Sequence, residues 1–78
     1  MPTVLRVGPY RFYFFVGDRN EPPHIHIRRD QAEAKYWLQP IQAAREVGFS
    51  EHELRDIERI IQSHHQQLIQ AWNDVFNT

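Results

Sequence analysis

Two histidines and an arginine occupy alternate positions in the stretch Pro22-Pro23-His24-Ile25-His26-Ile27-Arg28. In a strand, successive side chains point to opposite faces, so His24, His26 and Arg28 share one surface and Ile25 and Ile27 the other. The prolines hold the preceding chain extended and deliver it into that strand. An imidazole titrates near neutral pH and serves as acid or base, while a guanidinium or ammonium neutralises charge on a phosphate. The chemistry this row suits is metal-independent cleavage of RNA, with His24 and His26 as base and acid and Arg28 and Lys35 facing the phosphate. For gripping nucleic acid the candidate set is Arg28, Arg29, Lys35 and Trp37, the indole stacking a base. A metal site would need a third ligand, from Glu33 or from His52, His64 or His65, and Arg28 and Lys35 on the same face oppose a cation. No metal or cofactor is therefore expected. Two plainer readings stay open: anion binding without turnover, and a surface on which the histidines simply cover Trp37. In the latter, Arg28 and Glu33 form a cross-strand ion pair worth about a few tenths of a kcal/mol.

The elements that must position this row follow from the pattern around it. Thr3–Val7 is β-prone and ends at the Gly8-Pro9 turn signal. Tyr10–Val16 carries aromatics on both parities and reads as a central strand covered on both faces. Residues 17–23 are polar and turn-rich, a loop into the histidine strand. Ala32–Leu38 resumes the alternation, and a hairpin about Asp30-Gln31 sets Ile27 opposite Ala34, Ile25 opposite Tyr36, Arg28 opposite Glu33, His26 opposite Lys35 and His24 opposite Trp37. Apolar then meets apolar and polar meets polar. Ile41–Val47, after Pro40, fits neither period cleanly and reads as a short edge strand or one turn of helix, the strand preferred because Gly48 and a strong helix start follow.

Ser50-Glu51-His52-Glu53 is a capping box, with Phe49 and Leu54 placed as a hydrophobic staple. From there Leu54, Ile57, Ile61, Leu68, Trp72 and Val75 recur at helical spacing. No proline or glycine interrupts the chain, which predicts one helix over about 51–77, ~40 Å long. That exceeds what a small sheet covers. Either the helix bends near Ser63-His64-His65, or Ile61, Leu68, Trp72 and Phe76 meet another copy or a small partner protein. Of His64 and His65, one is expected at the stripe edge and the other in solvent.

The bulk properties narrow the class. The 78 residues suit one domain, sheet over about 3–47 and helix beyond. There is no cysteine, which fits a reducing cytoplasm and excludes disulfides and thiolate metal sites. No apolar run approaches a membrane span or a signal peptide, so a cytoplasmic protein with no membrane association is expected. The net charge of -1 divides unevenly: residues 1–40 carry six basic against four acidic side chains, residues 41–78 three against six. This is not the profile of a dedicated, strongly basic nucleic-acid-binding domain.

The start Met1-Pro2-Thr3-Val4, Gly8-Pro9-Tyr10-Arg11-Phe12, Glu21-Pro22-Pro23-His24-Ile25-His26, Ala34-Lys35-Tyr36-Trp37-Leu38, Gly48-Phe49-Ser50 and Ala71-Trp72 together resemble the small bacterial proteins grouped as domain of unknown function 4160. The resemblance spans essentially the whole chain. It implies a component of a toxin–antitoxin-like two-gene module, with RNA the target if this is the toxin, and it supplies no catalytic residues. The alternative is a non-catalytic adaptor or antitoxin-like module acting through the helix. The expected architecture is α+β: an antiparallel sheet of three to four strands under one long C-terminal helix, the histidine face left open.

Overall fold

Five stretches with strand alternation precede the capping box, and all five become strands of one sheet. The computed structural model describes residues 3–76. Strands β1 (Thr3–Val7), β2 (Tyr10–Tyr13), β3 (His24–Arg29), β4 (Ala32–Leu38) and β5 (Ile41–Val47) are antiparallel and lie side by side in chain order. The helices α1 (Glu51–Ser63) and α2 (His65–Phe76) follow. The architecture is α+β, as the sequence predicts, but with five strands rather than three to four. Thr3–Val7 and Ile41–Val47 both join the sheet, one at each edge.

The β3–β4 register is the predicted one at every position, from His24 opposite Trp37 to Arg28 opposite Glu33. The connection is the tight two-residue one. Asp30 takes the left-handed backbone (φ 52°) that most side chains avoid and Asp tolerates. Along β4 the alternation is complete: Ala32, Ala34, Tyr36 and Leu38 are buried, while Glu33, Lys35 and Trp37 are half-exposed. β5 is almost wholly exposed, as an edge strand can be.

The core forms on the Ile25/Ile27/Tyr36 face. Phe12, Phe14, Ile25, Ile27, Ala34, Tyr36 and Leu38 meet Ile57, Ile61, Leu68 and Trp72 of the helices there. Each fully buried aliphatic or aromatic side chain contributes about 1.5–3 kcal/mol. The capping box is present in both directions, Glu53 N–H donating to Ser50 Oγ and Ser50 N–H to Glu53 Oε1.

The single long helix is not found; it breaks at His64. That residue leaves helical geometry (φ -112°, ψ 20°). Its ring Nδ1–H and its backbone N–H both turn to the Ile60 carbonyl, at 2.9 and 3.0 Å. The next residue, His65, donates from Nε2 to the Leu38 carbonyl at 2.6 Å and so roots α2 on the end of β4. Both histidines are thus half-buried and bonded, neither in open solvent. The break has a geometric use: a straight helix of ~40 Å would outrun a molecule whose longest extent is 36 Å. Ile61, Leu68 and Trp72, expected to face a partner if the helix ran straight, lie in the chain's own core instead, and Phe76 packs half-buried on Trp72 at 4.1 Å. The expected helix end at Asn77 lies outside the described residues.

Candidate functional site

The loop between β2 and β3 is where the structure adds to the sequence. After Phe14 and Phe15 the chain makes one 3-10 turn, Val16–Asp18. The Asp18 N–H bonds the Phe15 carbonyl and the Glu21 N–H bonds the Asp18 carbonyl. Pro22-Pro23 then brings the strand back, and the Leu38 N–H fixes it by bonding the Pro23 carbonyl at 3.0 Å. This path folds Asp18 over the start of β3. One oxygen, Asp18 Oδ2, lies 2.7 Å from His24 Nε2 and 2.8 Å from His26 Nε2.

The three groups are held from several sides. His24 is fully buried, with its ring against Trp37 and Trp72 and its Nδ1 at 2.9 Å from the Pro22 carbonyl oxygen. That oxygen only accepts, so Nδ1 carries a proton. His26 lies stacked on Tyr13, its strand neighbour, and meets Phe15 edge-on at 4.6 Å between centroids. Burial works against charge on both His26 and Asp18. It pushes the His26 imidazole below its usual pKa, with the His24 charge adding to the effect and the bond to Asp18 opposing it. For Asp18, the hydrogen bonds to His26 and His24 outweigh burial and hold the carboxyl below its usual range.

His26 opens onto a cleft of about 90 Å³ lined by Tyr13, Phe15, Glu33, Ala34, Lys35 and Arg45. Phe15 is the exposed lip, at 38% accessibility. Lys35 Nζ lies over the Trp37 ring at 4.6 Å and pairs with Glu21, while Arg45 approaches Glu33 at 4.0 Å.

The structure thus brings together some of the residues singled out above and separates others. His24, His26, Lys35 and Trp37 are neighbours. Arg28 sits at the far end of β3, where its Nε–H donates to the Asp30 carbonyl at 3.1 Å. Arg29 points to the core face, donates to Glu53 Oε1 from Nη2 at 3.1 Å and covers Phe49. It clamps the capping box and does not share a face with Lys35. The face expected to be open is closed at its His24 end by the 3-10 turn and Trp72. With His24 buried and both ring nitrogens engaged, a substrate hydroxyl has no route to it, so the two-histidine acid–base scheme loses one partner.

Asp18 is the residue that sequence reasoning missed, and with it a third ligand atom. His24 Nε2, His26 Nε2 and an Asp18 oxygen lie within 4.8 Å of one another. The available signal was a lone aspartate in the turn-rich loop feeding a His-x-His strand. Phe15 and Arg45 also line the cleft, and nothing in the aromatic run of 10–16 or in the edge segment 41–47 marks either of them.

Among the described residues, no helix is long and apolar enough to cross a membrane. No curated protein and no solved structure matches the chain. Residues 10–73, from the first core tyrosine of β2 to the middle of α2, match the family described as Domain of unknown function (DUF4160), and the chain belongs to that family.

Proposed function

We propose that this protein is the RNA-targeting component of a bacterial toxin–antitoxin-like two-gene module, and that it captures RNA at the His26 cleft. The cleft carries the reading. At about 90 Å³ it is far smaller than the roughly 300 Å³ at which small-molecule pockets begin. A phosphodiester group fits such a volume, and a whole nucleotide or larger metabolite is not enclosed by it. Lys35 and Arg45 supply cations on its walls, and exposed Phe15 with half-exposed Trp37 supplies flat surfaces on which unpaired bases stack. Of the two acidic partners, Glu33 is the weak competitor. Arg45 and Glu33 are 4.0 Å apart and both substantially exposed, a pairing worth about 0–1 kcal/mol, so a phosphate exchanges with it at little cost. The role proposed is capture, since only His26 of the two histidines faces the cleft. An adaptor acting through the helix stripe has less support, because Ile61, Leu68 and Trp72 are already buried in the chain's own core.

Fluorescence anisotropy with a labelled single-stranded RNA tests the reading. Wild type is expected to bind with a steep salt dependence. Lys35→Ala and Arg45→Ala should each weaken binding and lower the slope of log K against log salt by about 1. In bacteria, tightly controlled induction of the wild type should arrest growth, and the Lys35→Ala/Arg45→Ala pair at equal soluble expression should not. Absence of RNA binding by the wild type, or binding that ignores both substitutions, overturns the proposal.

A further inference from the structure

We infer that Asp18, His24 and His26 form a binding site for one first-row divalent transition-metal ion. His24 Nδ1 donates to the Pro22 carbonyl, so Nε2 is the ring nitrogen left to present a lone pair to a cation. That lone pair faces Asp18 Oδ2 at 2.7 Å inside a fully buried setting. With Nε2 unprotonated, two acceptors face each other, and a proton or a metal cation between them relieves the repulsion. His26 Nε2, at 2.8 Å from the same oxygen, points a third ligand-competent atom at the same place.

The surroundings are those of a metal ligand set. Metal-bound histidines characteristically donate their second ring N–H to a carbonyl or carboxylate, which fixes tautomer and ring orientation. Here Pro22 does this for His24, and the Pro22-Pro23 segment that holds the carbonyl is itself tied to β4 through Leu38 N–H. The spacing requires little change. Bonds of about 2.0 Å in tetrahedral geometry separate the ligand atoms by about 3.3 Å, so the carboxylate retreats from each histidine by about half an ångström while the two imidazole nitrogens, within 4.8 Å of one another, settle to the same separation. The carboxylate can do so, because Asp18 comes from a single 3-10 turn rather than from the sheet.

Two imidazoles and one carboxylate select among ions. Magnesium and calcium prefer all-oxygen shells, whereas imidazole suits zinc, nickel, cobalt and ferrous iron. Three protein ligands leave a fourth position open, as in sites that bind water or substrate, and the His26 cleft gives access to it. The cations that the sequence set against a metal have other partners: Arg28 turns to Asp30 and Lys35 to Glu21. This inference does not rest on RNA capture and is tested without RNA.

The test is isothermal titration calorimetry of the full chain with zinc chloride, with cobalt(II) absorption as a second readout. Wild type should take up one zinc ion per chain and give visible cobalt bands of a four- or five-coordinate site. His26→Ala and Asp18→Ala should each lose affinity at least about 10-fold. His52→Ala, an exposed helix histidine paired with Asp56, should bind as wild type does. Circular dichroism checks that each variant is folded. Should Asp18→Ala not fold, His26→Ala and the wild-type cobalt spectrum decide the matter. No saturable zinc binding by wild type, or undiminished binding in the folded His26 variant, overturns the inference.

Discussion

Whether the apolar stripe on the two helices serves the chain's own core or a partner can be decided by removing atoms from it. Ile61 and Leu68 are fully buried, and Trp72 is 5% exposed with its ring edge-on to Phe14 at 5.4 Å. Truncations of such residues have characteristic costs: about 0.5–1.5 kcal/mol for Ile61→Val, about 2–5 for Leu68→Ala and about 3–5 for Trp72→Ala. A chain of 78 residues has a total stability of only about 4–12 kcal/mol, so Trp72→Ala removes a large share of it or all of it. Ile61→Val remains measurable in any case, with an expected fall in Tm of about 2–12 °C, taking about 4–8 °C per kcal/mol for a domain of this size. Urea unfolding followed by far-UV circular dichroism, at two protein concentrations tenfold apart, reads the effect. The three midpoints should fall in that order and be independent of concentration. A stripe that held a second copy would instead give a concentration-dependent wild-type midpoint. A Trp72→Ala chain that stays folded with an unchanged midpoint but a lower mass by light scattering would refute the core assignment.

Two further outcomes follow from the junction between sheet and helix. The Glu53 carboxyl is held below its usual pKa, first by the Ser50 backbone N–H and then by the Arg29 guanidinium. A lowered folded-state pKa adds stability that is present above the ordinary carboxylate value near 4.5 and is lost as pH falls through the folded value. Glu53→Gln keeps the capping reach but not the charge, so its stability should be lower at pH 7 and should decline less steeply in acid; parallel acid limbs in urea titrations would contradict this. Gly48 sits at φ +87°, and a Cβ there would come within 3.2 Å of the Ala32 Cα and Cβ. Gly48→Ala should therefore destabilise by more than about 1 kcal/mol, read as a lower Tm.

What could be read from the sequence was whatever rests on neighbours along the chain. The β3–β4 register follows from two alternating runs and a tight turn, and the start of α1 follows from Ser50 and Glu53, three residues apart. The helix break near Ser63-His64-His65 was legible only as one of two alternatives, from helix length, since neither proline nor glycine marks it; its cause was not. It depends on His65 reaching the Leu38 carbonyl, 27 residues back along the chain, and sequence periodicity is blind to such a contact. Asp18 was illegible for the same reason. Its loop has no repeating pattern, and only the folded path of residues 14–23 shows that the carboxylate returns over the strand it precedes. The assignment of Arg29 failed differently: its parity already placed it with Ile25 and Ile27, and its charge drew it into a nucleic-acid set that its face excludes.

Strand order has a dynamic consequence. Because the strands lie in chain order, β3 is the middle of five, and its backbone amides are shielded by a partner on each side. In native-state hydrogen exchange, protection should therefore be highest along β3 and β4 and fall toward β1 and β5. The 3-10 turn carrying Asp18 is held by few backbone bonds and should exchange early. The candidate centre thus joins a stiff wall, His24 and His26, to a compliant arm, Asp18. A ligand that bridges the two orders the arm without disturbing the wall, so occupancy would register as slowed exchange in residues 16–21 while β3 stays as it was.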